Sequence, residues 1–365
     1  MNREVISKYQ AVNIMCMFIL GTSFVLGPGA QARQDIWLSV LTALIAVVPL
    51  YFLYSKILAL FPGKDMFDIF QLVFGKYAGG FIILLYVWYL FHQGALVLRS
   101  FSEFIEIVAI PATPQFIIIL CMGILCIWMN KAGIEVLGRW AALIFPLMVI
   151  VFMITLALSV PKMSLLNMLP VLERGFKPVF KDAFVAFTYP FAEMVAFLVV
   201  LDNLKSAKPL FKIYFISLLI GGGMILLVSM RNILVLGVDL ATHLYFPSYS
   251  VGRLINMGDF LQRIEIIVSI NFIFSGIVKT SICLYGAGKG LAKALHISDY
   301  KSLVVPLGLL MIDLAILVYH NVMEMFEWGG NVYPFYVLPF QVMIPLILFA
   351  TAKVRLWLNK SRLLS

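Results

Sequence analysis

The sequence predicts an all-helical integral membrane protein with ten spanning helices, built as two repeats of five in which the first and sixth helices are broken. Three observations carry that prediction. Apolar and aromatic residues make up 62% of the 365 residues, charged residues only 12%, and the mean hydropathy is +1.01, a balance foreign to soluble domains of this length. Apolar segments long enough to cross a bilayer, about 20 residues each, run from the first to the last tenth of the chain, so one membrane domain fills it. Two of those segments, five spans apart, carry helix-breaking residues at corresponding places.

The spans read as 10–30, 36–61, 81–107, 115–131, 136–160, 183–202, 210–237, 260–287, 303–320 and 334–353, giving a first repeat over about 10–160 and a second over about 183–353. An even number places both termini on one side. Lys and Arg identify that side, because cytoplasmic connections are enriched in them. The N-terminus, the connections after spans 2, 4, 6 and 8, and the tail carry seventeen, among them Lys56, Lys131, Lys205, Lys289 and Arg355. The opposite side carries eight: Arg33, Lys162, Arg174, Lys177, Lys181, Arg231, Arg253 and Arg263. Both termini are therefore expected in the cytoplasm, and the net charge of +9 is explained by topology rather than by a nucleic-acid surface.

Span 1 imitates a signal peptide, with Arg3 and Lys8, an apolar run from Ala11 to Leu26, and Ala30-Gln31-Ala32 in the place of a cleavage site. Cleavage would leave nine spans and put the basic tail on the wrong face, so the segment reads as a retained helix. It contains Gly21-Thr22-Ser23 and then Gly27-Pro28-Gly29, while span 6 contains Thr188-Tyr189-Pro190. Paired interruptions of this kind point to an inverted-repeat transporter fold with its solute site between the two breaks. The freed amides and carbonyls cannot face lipid and must be satisfied by protein, water or a solute. Half-helix ends offer partial positive charge to a carboxylate and partial negative charge to an ammonium. An α-amino acid carries both.

Glu193 lies near the centre of span 6, where a carboxylate costs roughly 2.5–3.5 kcal/mol even on the lenient insertion scale. It requires a partner or a proton. Lys279 on span 8 is the candidate, the alternative being that its amine snorkels to the cytoplasmic surface. Arg99 and Glu103, four residues apart on span 3, can neutralise each other and read as a structural pair. Asp313 on span 9 has no evident partner. Tyr89, Thr280 and Ser281 supply hydroxyls, which in membrane helices serve more often as interhelical glue than as ligands. Cys16, Cys121, Cys126 and Cys283 each lie in an apolar run without zinc spacing and read as packing residues. No enzyme or cofactor signal is present: His92, His243, His296 and His320 are scattered, and Gly286-Ala287-Gly288-Lys289-Gly290 lacks the length of a phosphate loop and reads as the end of helix 8.

Taken in order, FILGTSFVLGPGA, LVLRSFSEF, IFPLMVIVFMI, NMLPVLERGFKPVF, YPFAEMVAF and FPSYSVGRLINMGDFLQRIEII resemble the B subunit of bacterial spore germinant receptors, the spore germination permeases of the amino acid–polyamine–organocation transporter superfamily. The resemblance covers nearly the whole chain. It implies the leucine-transporter-like five-plus-five fold, residence in the inner membrane of the spore, and assembly with germinant receptor A and C subunits. It also implies germinant binding at Gly21, Thr22 and Ser23, at Thr188, Tyr189, Pro190 and Phe191, at Tyr89, and at Thr280 with Ser281, close to Glu193. One departure bears on the ligand: the family's glycine-small-glycine pattern at the first break is Gly-Thr-Ser here, which adds hydroxyls to the pocket. The expected function is nutrient sensing without turnover; a working secondary amino acid transporter and a purely structural subunit are the alternatives.

Overall fold

The computed structural model of the chain describes residues 4–21, 23, 31–204, 210–255 and 264–362. Thr22 and the expected Gly27-Pro28-Gly29 break lie outside the described residues.

Helix α1 (Lys8–Leu20) starts at a capping box in which Ser7 and Gln10 satisfy each other's backbone amides, 3.2 and 2.8 Å apart. It ends at Gly21, whose N–H donates to the Met17 carbonyl. Helix α2 (Ile36–Leu60) is followed by a short surface helix α3 (Met66–Phe74), capped by Asp65, and by the 33-residue α4 (Lys76–Val108). Helices α5 (Gln115–Ala132) and α6 (Ile134–Ser159) complete the first half. In the second half, α7 (Phe176–Ala186) gives way to a non-helical Tyr189 and then to tight turns over Ala192–Leu198 and Leu201–Asn203. There follow α8 (Leu210–His243), α9 (Pro247–Leu254), α10 (Ile264–Ala294), α11 (Lys301–Leu317), α12 (Val322–Asn331) and α13 (Tyr333–Leu358).

Among the described residues, seven helical segments are long and apolar enough to cross a membrane: those of α2, α4, α5, α6, α8, α10 and α13. The other three expected spans are not single long helices among the described residues. Helix α1 stops at Gly21, α7 breaks at Tyr189, and α11 turns by 100° into α12. This is the all-helical membrane fold that the hydropathy pattern predicts. Its boundaries differ locally. Helix α10 continues to Ala294, so Gly286 to Gly290 do not end it. A Cβ at Gly290 would come within 2.7 Å of Phe67 and Val87, and one at Gly286 within 2.5 Å of Leu90; these glycines admit close packing, not termination.

The long α4 and α10 cross at the centre. Phe101 stacks on Phe272 at 4.1 Å, and Phe104 meets Phe272 edge-on at 4.7 Å. Gly276 makes the approach possible, since a Cβ there would lie 1.9 Å from the Phe101 ring. Cys16, Cys126 and Cys283 are buried as packing residues, but Cys121 is exposed on the outer face of α5, because its position on that helix points away from α11 and α10.

Both chain ends lie on one face. Glu4 pairs with Lys301 at 2.7 Å and accepts from Tyr300 at 3.1 Å, the Ile6 N–H donates to the Asn203 carbonyl, and Arg355 in the tail donates to Leu72. Lys289 joins Asp65 and Asp202 at 3.1 and 2.9 Å on that same face, and Lys293 pairs with Asp68.

Gly276→Ala is expected to lose about 1–3 kcal/mol through overpacking against Phe101, read as a lower unfolding midpoint in detergent. Gly80→Ala, where a Cβ meets open space, should leave the midpoint unchanged.

Candidate functional site

The break in span 6 frees backbone carbonyls in a region without water, where each unsatisfied group costs several kcal/mol. Side chains from four other helices take them. Gln341 Nε2 donates to Thr188 O at 3.0 Å, Tyr51 Oη to Phe191 O at 2.9 Å, and Tyr214 Oη reaches Met194 O at 3.5 Å. Tyr54 Oη lies 3.2 Å from Ala192 O and 2.6 Å from Gln341 O, while Lys289 Nζ donates to Val199 O at 3.0 Å. Thr188 turns its own hydroxyl back to the Phe184 and Val185 carbonyls. The carbonyls of Thr188, Phe191, Ala192, Met194 and Val199 are thus held by protein side chains.

The break also carries a charge. Glu193 is fully buried and accepts on both oxygens: Lys279 Nζ lies 2.5 Å from Oε2, and Tyr333 donates to Oε1. The ammonium also sits 4.8 Å from the centre of the Tyr189 ring and 5.3 Å from that of Phe18, distances at which a cation is attracted by a ring face. Gly21, at the end of α1, leaves room for this lysine, since a Cβ there would lie 2.5 Å from Lys279 Cδ. Lys279 therefore does not snorkel. It joins the end of span 1, the break of span 6, α10 and α13 at one point.

Above that point is a cavity of about 490 Å³, floored by Gln93, Tyr189, Glu193 and Tyr333 and walled by Asn232 and Trp328, among others. Its rim is formed by Arg33, the α8–α9 connection at Leu244 and Tyr245, and α12, so it opens on the face opposite the chain ends. Arg33 is held at that rim by Asp239, 2.6 Å away.

Of the residues singled out in the sequence, Tyr189 and Glu193 line this cavity. Gly21 lies behind it against Lys279, and Ser23 is buried. Tyr89 sits beneath the floor, stacked on Phe340 at 4.9 Å and 3.2 Å from Gln341 Nε2. Thr188, Pro190 and Phe191 are buried in the break itself, and Thr280 and Ser281 are fully buried within reach of Cys126 on α5. Arg99 and Glu103 form their pair at 2.8 Å away from the cavity floor, and Arg99 also donates to the Ile316 carbonyl, tying α4 to α11. Sequence reading missed Gln93, Tyr333 and Gln341. Gln93 had a signal, one helical turn from Tyr89 on the same face of span 3.

Comparisons with known proteins fit this geometry. The family described as "Spore germination protein" matches residues 5–322. The chain belongs to the spore germination protein family. It is 32% identical to Spore germination protein KB of Bacillus subtilis (strain 168) over 99% of this chain and 97% of that one. It is also 22% identical to Spore germination protein A2 of the same organism, over 82% and 83% of the two chains. Among solved structures, this spore germination protein superposes on Mhp1, a nucleobase-cation-symport-1 family transporter in a closed conformation with bromovinylhydantoin, with a TM-score of 0.71 and 11% identity over 95% of this chain and 78% of that one. MhsT in complex with L-phenylalanine gives a TM-score of 0.66 at 11% identity, over 94% and 89%. At that identity these two structures speak for the fold, the broken-helix transporter architecture.

Breaking a buried pair by removing one partner costs about 3–5 kcal/mol, so Glu193→Gln and Lys279→Met should each lower the unfolding midpoint sharply while the double variant recovers much of the loss; additive losses would refute the coupling. Tyr54→Phe should cost about 1–3 kcal/mol by leaving carbonyls of Ala192 and Gln341 bare, whereas Tyr9→Phe at an exposed position should be neutral in the same assay.

Proposed function

We propose that this spore germination protein is the nutrient-sensing subunit of a germinant receptor, seated in the spore inner membrane with both termini cytoplasmic and with 10–160 and 183–353 as its two inverted repeats. The observation that carries the reading is the cavity itself. Its floor lies at the break of span 6, with the end of span 1 packed behind it against Lys279, it is open on one face, and the opposite face is clasped by Glu4, Lys301, Lys289 and Asp202. A small zwitterion suits the floor: Glu193 lines it with Lys279 paired behind, Gln93 and the Tyr189 hydroxyl offer polar groups, and the aromatic walls accept an apolar side chain. An amino acid germinant has this chemistry. Binding would favour the open conformer by its differential affinity, and the A and C subunits of the receptor would pass the shift on to germination.

A second reading has its own support. The fold neighbour Mhp1 is a transporter, and a sensor built on that architecture keeps its alternating cavity. Secondary transport predicts saturable uptake of labelled amino acid into proteoliposomes by the isolated chain; sensing predicts none.

Spores carrying Gln93→Ala should need about 3- to 10-fold more germinant for half-maximal response, the loss expected for one neutral hydrogen bond, with normal response to nutrients sensed by other receptors. An unchanged dose-response for every germinant would sink the sensing role of this cavity.

A further inference from the structure

Asp313 is the one spanning-helix carboxylate that sequence reading left without a partner, and none of the described residues supplies one. It is exposed on α11 and makes no hydrogen bond or ion pair with the described residues. Its depth follows from helix geometry. Lys301 fixes the start of α11 at the face of the chain ends by pairing with Glu4, and twelve residues at 1.5 Å each carry the helix about 18 Å further, inside a hydrocarbon layer about 30 Å thick. The residues one turn away on the same face are Leu309, Leu310 and Leu317, exposed by 46%, 56% and 76%. An aspartate has a single methylene and cannot carry its charge to either surface as a lysine does. Carboxylates at such depth face a bundle interior or a water-filled cavity and pair with a base, and this one does neither among the described residues.

We propose that this face of α11 is covered by a transmembrane helix of a different polypeptide that presents a lysine or arginine to Asp313. Charge complementarity selects a base. A second copy of this chain is disfavoured, because an isologous contact through this face would set one Asp313 against the other, and like charges at close range repel. The neighbouring helix extends the surface: Ile312 packs against Gly123 of α5, where a Cβ would meet it at 2.3 Å, and Ile124 and Leu125 next to that contact are exposed by 50% and 47%. The covering helix would lie along the α5–α11 seam with leucine and isoleucine on both flanks and the ion pair between them. This inference goes beyond the nutrient-sensing reading and does not depend on the cavity.

The test is photo-crosslinking in native spore membranes, with a benzophenone amino acid in place of Leu310 in the full chain. The expected result is an adduct to another polypeptide, mapped by peptide sequencing to a membrane-spanning segment that contains Lys or Arg. The yield should fall about tenfold or more with Asp313→Leu and with the isosteric Asp313→Asn, and should persist with Asp313→Glu. Adducts to lipid only, to a second copy of this chain, or to a helix without a base would overturn the proposal, as would a yield unchanged in Asp313→Asn. Should Asp313→Leu fail to accumulate, the Asn and Glu variants carry the comparison.

Discussion

Hydrocarbon cannot hydrogen-bond a peptide group, and the architecture of this protein follows from how it meets that constraint at the break in its sixth span. A proline at 190 and a non-helical Tyr189 remove the intrahelical partners of several carbonyls at once. Tyr51 and Tyr54 on α2, Tyr214 on α8 and Gln341 on α13 restore them from outside the helix. These donors are long, nearly apolar side chains with a single polar tip, so they deliver a hydrogen bond at depth without bringing a charge. Because they come from both halves of the chain, the break is also what locks the halves together. Tyr86 donates in the same way to the Phe340 carbonyl, extending the support to the neighbouring turn of α13.

The second consequence concerns charge. A broken helix near the midplane gathers partial charges, and here a full charge stands among them, Glu193 neutralised by Lys279. The ammonium lies between the end of α1 and the break of span 6, the place in the molecule where an external cation would also find a carboxylate and ring faces. Supplying the cation from α10 makes the junction neutral within one chain and fixes it covalently to the helix that crosses the centre of the bundle. At the cavity floor Glu193 is a carboxylate already neutralised by the lysine behind it, not a bare charge.

Much of this was legible in the sequence, for identifiable reasons. The spans follow from apolar run length, and the breaks from Gly21 and from Thr188-Tyr189-Pro190, because backbone chemistry at those residues is local. Lys279 stood out as the partner of Glu193 because span 8 packs near spans 1 and 6 in an inverted-repeat transporter fold. The details of the cavity were less visible. Tyr333 and Gln341 are distant from span 6 in sequence and reach it only after α13 has packed, and Thr280 and Ser281 turn toward α5 instead of the cavity through a rotation about α10 that no composition reveals. Gly286 to Gly290 looked like a helix end because glycine has two uses, termination and close approach, and the sequence does not say which neighbour stands opposite. Tertiary contacts with Leu90, Phe67 and Val87 decide it.

The same contacts bear on how an occupied cavity could be felt elsewhere. The face carrying the chain ends is closed by pairs that belong to different elements: Glu4 of the N-terminal segment with Lys301 of α11, Ile6 with Asn203 at the end of span 6, and Lys289 of α10 with Asp65 and Asp202. Any movement of the lower half of span 6 disturbs Asn203 and Asp202 together, and through them α10, the N-terminal segment and α11. Full passage of a solute requires all of these contacts to open at once, whereas a signal requires only that their balance shift. A ligand shifts a two-state balance from 1:99 to 99:1 with a differential affinity of about 5.5 kcal/mol, and a few polar contacts and a buried apolar side chain reach that range. The clasp ties the end of span 6 to α10, the N-terminal segment and α11, so a shift at the cavity floor that moves span 6 reaches several elements of the opposite face together.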